Sequence, residues 1–307
     1  MTPARRDAAR GPGAVQAKGA LAACVEPARI RLPWLRQTGL MFRRRSSRVL
    51  SLVLAMALIP LAASAESFRA TYALSLMGIP IGVASANGFI DAHAYKLEIG
   101  MRTSGLATLV NSSKGAATAT GKFAADGPSP ATFAHTIANS GNEMRTVRMA
   151  LADKSVRQLE VNPEPWDAAV RLPVTEEQKR RVFDPVSALI MAVPAGEQLV
   201  GPSACNRTIP VFDGIARFDV HLSYVETRSV HTRGYMGPVS VCSARYLPIS
   251  GHRPDSQSTK FMAENREISV WLAPLSGARV VFPLRIDLRT VAGMMSIEAS
   301  EFQVGAK

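Results

Sequence analysis

The chain has 307 residues, enough for one large domain or two small ones, and a formal net charge of +12. That charge would suggest a nucleic-acid partner if it were evenly spread. It is not: eleven Lys and Arg fall in residues 1–65 against only Asp7 and Glu26, leaving 25 basic and 22 acidic residues in 66–307. The sequence therefore excludes a basic nucleic-acid-binding face on the main body.

Residues 1–40 are rich in Ala, Arg, Pro and Gly and show no sustained periodicity. Such a composition buries too little apolar surface to offset chain entropy, so disorder is expected, or a mis-assigned extension upstream of Met41. From Met41 the chain has the parts of a secretory signal over 41–65. Arg43, Arg44, Arg45 and Arg48 form the charged region, Val49 to Leu61 the apolar region, and Ala63-Ser64-Ala65 the cleavage site before Glu66. The apolar run is shorter than the ~20 residues a membrane-spanning helix needs, so no stable span is expected after cleavage. Export to the periplasm as a single β-rich domain, 66–307, is the expectation.

The rest reads as successive strands. Phe68, Ala70, Tyr72, Leu74 and Leu76 alternate with smaller or polar residues, then Gly78 to Gly82 turns the chain. Tyr95, Leu97, Ile99 and Met101 mark a third strand, and Val147 to Leu151 pairs with Val156 to Val161 through Asp153-Lys154. Asp184 before Pro185 predicts a helix N-cap, with a buried apolar helix over Ala188 to Val193 that Pro194 stops. Asp213-Gly214 predicts a two-residue hairpin turn that sets Val211 opposite Ala216 and Ile209 opposite Phe218. Val280 to Leu288 and Met295 to Val304 follow, the latter with a bulge between Ala299 and Phe302. The fold class is mainly β: one curved antiparallel sheet or partly closed barrel of about ten to twelve strands, with one or two short helices.

Cys24 lies in the leader, so Cys205 and Cys242 remain as a pair. In an exported protein such a pair reads as a disulfide; two buried thiols are the alternative. No catalytic motif is present: the five histidines, His93, His135, His221, His231 and His252, have no metal-ligand spacing, and no cofactor fingerprint occurs. His252, in a polar loop after the second cysteine, is the one catalytic candidate, acting as a hydrolase base with Asp213 or Asp255. Otherwise an incompletely covered curved sheet suits a lipid, acyl chain or peptide, with Met77, Met101, Met149, Met294 and Met295 as adaptable lining or ordinary core filler. A purely structural role with an envelope protein as partner is the third reading.

Five stretches carry a family resemblance: Tyr72 with Gly78-Ile-Pro-Ile-Gly82, Asp184-Pro185-x-Ser187-Ala188-Leu189, Val211-Phe212-Asp213-Gly214 after Cys205, Gly237-Pro238-x-x-x-Cys242, and Pro248-Ile249-Ser250-Gly251-His252. Together they resemble the bacterial exported family of unknown function DUF 3108, across nearly all of 66–307. The resemblance implies a periplasmic β-rich protein with a bridged cysteine pair and no agreed activity. The architecture is more loosely similar to the half-barrel lipoprotein carriers of the periplasm, which transfers no function by itself.

Overall fold

The computed structural model describes residues 66–109, 112–138 and 144–306. The expected leader and signal segment, with Ala65, lie outside the described residues, and Glu66 opens the first strand.

Seven strands run as a meander: β1 (Glu66–Leu76), β2 (Ile79–Ile90), β3 (Ala94–Thr103), β4 (Lys114–Ala124), β5 (Gly127–Ala138), β6 (Met144–Ala152) and β7 (Ser155–Asn162). A connector follows, holding short 3₁₀ turns and the two-residue strand β8 (Met191–Ala192). The four-residue helix α1 (Pro202–Cys205) leads into a second meander of β9 (Arg207–Phe212), β10 (Arg217–Thr232) and β11 (Tyr235–Ser250). Helix α2 (Gln257–Glu264), β12 (Ile268–Leu275), β13 (Val280–Thr290) and β14 (Gly293–Ala306) complete the chain.

All belong to one 14-stranded sheet ordered β7-β6-β5-β4-β3-β2-β1-β14-β13-β12-β11-β10-β9, with β8 on β13. The first and last strands of the domain pair at its centre, Ala70 opposite Phe302 and Leu74 opposite Ile297. Every ladder pairs antiparallel strands, as meander connections require. The fold class stands as expected, a curved antiparallel sheet that does not close, with more strands than the ten to twelve expected.

Alternation set most of these strands. Phe68, Ala70, Tyr72 and Leu74 are all buried in the main core, alongside Leu97, Phe133, Val147, Phe282 and Phe302. Phe68 packs against Phe282 at 4.7 Å and edge-on to Phe302 at 5.3 Å between ring centroids. Five consecutive residues of β13, Val280 to Leu284, are buried, so this strand is covered on both faces. A second apolar cluster gathers Met191, Ile209, Leu222, Cys242, Val270 and Val281.

Three expectations are corrected in detail. The apolar helix over Ala188 to Val193 is a single 3₁₀ turn, Ser187–Leu189, after which Met191 and Ala192 pair with Val281 and Val280. An apolar run this short fits either a buried helix or a buried strand, and the end of β13 that its ladder with β14 leaves unpaired, Val280 and Val281, decided for the strand. The Asp213 turn is longer than two residues: Asp213 N donates to Ala216 O at 3.2 Å, and Val211 pairs with Phe218 and Ile209 with Val220. Because this offset is two residues, the apolar face is preserved. The five methionines do not share one surface: Met149 is core, whereas Met77, Met101 and Met294 are exposed.

Candidate functional site

Between the two meanders the connector touches both. Val182 N donates to Lys154 O at 2.8 Å in the β6–β7 turn, while Phe183 exchanges main-chain bonds with Pro210 and Phe212 on β9, at 2.8 and 2.9 Å. It thus ties the outer ends of the sheet together. Its own path is fixed by Asp184, which is fully buried. Asp184 Oδ1 accepts the amides of Val186 at 3.0 Å and Ser187 at 2.9 Å, holding the 3₁₀ turn at its start.

That turn is anchored from across the core. Tyr95 Oη, on β3, donates to Ser187 Oγ at 2.8 Å, and both residues are inaccessible to solvent apart from 1% of Tyr95. Opposite Tyr95 on β4 stands Gly121, where any Cβ would collide with the phenol oxygen. Burial pushes the Asp184 carboxyl up to about 6, against the pull of the Ser187 hydroxyl and the turn amides. Burial likewise raises the Tyr95 phenol far above its ordinary range. Among the described residues Asp184 Oδ2 has no hydrogen-bond partner. The network is a peg that fixes the connector; nothing about it resembles a nucleophile and its base.

The pegged connector roofs an apolar cavity of ≈ 270 Å³. Pro185, Ala188, Leu189 and Met191 form one wall. The floor comes from β9 to β13, where ladder pairs fix the side chains to one face: Ile209 with Val220, Leu222 with Ala244, Val220 with Tyr246, and Val270 with Ile286. Met262 of α2 and Phe218 close the remaining sides. Cys242, paired with Val270 on the same face, is bonded to Cys205 across a separation of 37 residues. The bridge ties α1 to β11, and both cysteines are fully buried.

The catalytic candidate is placed differently. His252 sits in a loop whose main chain is latched to the connector: Leu172 N donates to His252 O at 3.0 Å and Gly251 N to Leu172 O at 2.8 Å. Arg171, paired with the buried Asp167 at 2.8 Å, also donates to Gly251 O at 2.8 Å. The Asp255 carboxylate is gripped by Arg253 at 3.0 and 2.7 Å. Asp213 Oδ1 accepts the amides of Ile215 and Ala216 within its own turn. Among the described residues His252 Nδ1 is buried without a partner, and no hydrogen bond joins His252 to either carboxylate. Among the described residues, no group of three His, Cys, Asp or Glu is placed to hold a metal ion. None of their helices is long and apolar enough to cross a membrane.

Sequence reasoning did not find the Tyr95–Ser187 peg, because its members are 92 positions apart. The available signal was Gly121, a glycine inside a strand, which marks a close approach of some other group.

No curated protein matches this chain. Among solved structures it is similar to a β-barrel-like protein of domain of unknown function DUF1849 from Brucella abortus. The identity there is 10%, covering 78% of this chain and 98% of that one at a TM-score of 0.46. A family model described as "Protein of unknown function (DUF3108)" matches residues 67–299, and the chain belongs to that family.

Proposed function

We propose that this is a non-enzymatic binding protein of the bacterial envelope, working in the periplasm, that holds an apolar ligand beneath its connector. The observation that carries the reading is the cavity of ≈ 270 Å³ walled mainly by apolar side chains of the connector and of β9 to β13. Apolar cavities are favourable places for apolar ligands because they contain no groups that water would satisfy better. At this volume, just under the ~300 Å³ lower bound usual for small-molecule sites, the fitting ligand is a single acyl chain or ring. The buried Cys205–Cys242 bridge supports an oxidising compartment. A hydrolytic role for His252 has less support, since among the described residues no hydrogen bond joins it to Asp213 or Asp255.

Native mass spectrometry of protein purified from its own host tests this directly. Co-purifying apolar mass of one-chain size is expected, together with saturable binding of a fluorescent fatty acid. A protein that is empty and ignores the probe would overturn the proposal.

A further inference from the structure

A second, larger cavity opens where the two ends of the sheet approach each other. It has a volume of ≈ 660 Å³ and shares no lining residue with the apolar cavity. Its inner wall continues a core stripe. On β5, Phe133, His135 and Ile137 point the same way, and ladder pairing sets Met149, Val147 and Arg145 of β6 opposite them. Phe133 and Val147 are core, at 3% and 0% exposure. One and two steps further out the stripe becomes His135 and Arg145. The inward face of the sheet thus ends in a cation at a position where the alternation calls for an apolar residue.

Arg145 is half-buried and has no ion pair among the described residues. Its Nε is buried without a hydrogen-bond acceptor. The terminal nitrogens of its guanidinium are not among the buried atoms, so they are the part that an anionic group from outside can reach, through charge-assisted hydrogen bonds. Facing this wall are acids. Asp213 holds its turn amides through Oδ1 alone, and Glu164 on the loop after β7 makes no ion pair among the described residues. His135 stands within reach of both signs: burial lowers its pKa first, Asp213 raises it and Arg145 lowers it.

The rim is apolar and open. Trp166 is 85% exposed, Met144 59% and Ile137 48%, all bordering this one cavity. Large apolar side chains grouped around a concavity mark a contact surface, where scattered ones do not. Cation, acids and apolar rim together call for a ligand with an anionic end, a cationic end and apolar side chains between.

We propose that this mouth binds short peptides with free ends, the carboxylate on Arg145, the ammonium group at Asp213 and Glu164, and side chains against Ile137, Met144 and Trp166. The site is independent of the apolar cavity and stands whether or not that cavity holds a ligand. The volume, within the ~300–1,000 Å³ range of small-molecule sites, admits a peptide of a few residues.

Calorimetric titration of the whole chain with alanyl-leucyl-alanine, its N-acetylated form and its C-terminal amide tests the assignment. The free peptide should saturate one site, with each blocked form at least about tenfold weaker, as loss of a charge-assisted hydrogen bond predicts. Arg145→Gln should bind the free peptide and its amide equally. Glu164→Gln, on an exposed loop where folding is not at stake, should reduce the penalty for N-acetylation. Absence of saturable binding, equal binding of free and blocked peptides, or a carboxylate preference that survives in a folded Arg145→Gln protein would each overturn the proposal.

Discussion

Gly214 lies against Val147, although the β9–β10 turn and β6 belong to nearly opposite ends of the sheet order. A Cβ at Gly214 would overlap Val147 Cγ1, and Gly214 itself has φ +97°. This contact sets the β9–β10 turn against β6, across the gap left by the open sheet. Gly214→Ala meets two penalties, a backbone conformation that disfavours a side chain and an overlap with the fully buried Val147. A loss of about 2–4 kcal/mol in urea unfolding is expected. Val147→Ala should cost more in Gly214 protein than in Gly214→Ala protein, a positive coupling in the double-mutant cycle. Purely additive effects would show that the seam contact is absent.

Asp184 makes stability depend on pH with a definite sign. Its carboxyl is raised to about 6 in the folded chain from an ordinary 3.8, mainly by burial. Between those values the folded state holds a proton that the unfolded state releases, so stability falls as pH rises through the interval. The contribution is present in full below pH ~4 and lost above pH ~6, and amounts to about 3 kcal/mol at 1.36 kcal/mol per unit. Asp184→Asn keeps an oxygen for the amides of Val186 and Ser187 but cannot ionise. The difference in unfolding free energy between the two proteins should therefore change by that amount from pH 4 to pH 7. Parallel pH profiles would refute the assignment.

These two relationships also mark how far the sequence can be read. Alternation in Phe68 to Leu76 or Val280 to Leu288 announces a strand and its buried face, because the period of two is local. It says nothing about partners, so the pairing of β1 with β14, whose paired residues are 219 to 240 positions apart, has no local sign. The Asp213-Gly214 pair announced a turn, yet not that Asp213 would take the amides of Ile215 and Ala216 and lengthen it. The segment after Pro185 reads as helical in sequence, whereas it ends in a strand, because an apolar run of six has no period to measure. Arg145 was legible in principle: on the β6 stripe shared with Val147, Met149 and Leu151 it is the residue that breaks the pattern.

The bridge should be resistant while the fold persists. Cys205 and Cys242 are both fully buried, so a reductant reaches the sulfurs only through unfolding. Purified native protein should show no free thiol in dithiothreitol until denaturant is added. Replacing both cysteines by alanine should cost up to about 4 kcal/mol, the chain-entropy value for a loop spanning a separation of 37 residues. Free thiols in freshly isolated native protein would remove the bridge and with it the argument for an oxidising compartment.

The apolar cavity can be filled without replacing Asp184, Ser187, Tyr95 or either cysteine. Ala188 is half-buried on the connector wall, facing a floor that includes Val220 on β10. Ala188→Phe places a ring where the ligand would lie, and should weaken fluorescent fatty-acid binding by about tenfold or more, since apolar contact scales with the area left available. Val220→Phe reaches the same space from the opposite wall and should act likewise, so that misfolding of one variant does not decide the matter. Met236→Ala, at an exposed position that lines neither cavity, controls for surface adsorption of the probe and should bind as the parent does. Binding that persists in both filled variants, with melting temperatures near the parent's, would mean that the probe sits elsewhere, and the connector would then be a brace for the open sheet with no ligand beneath it.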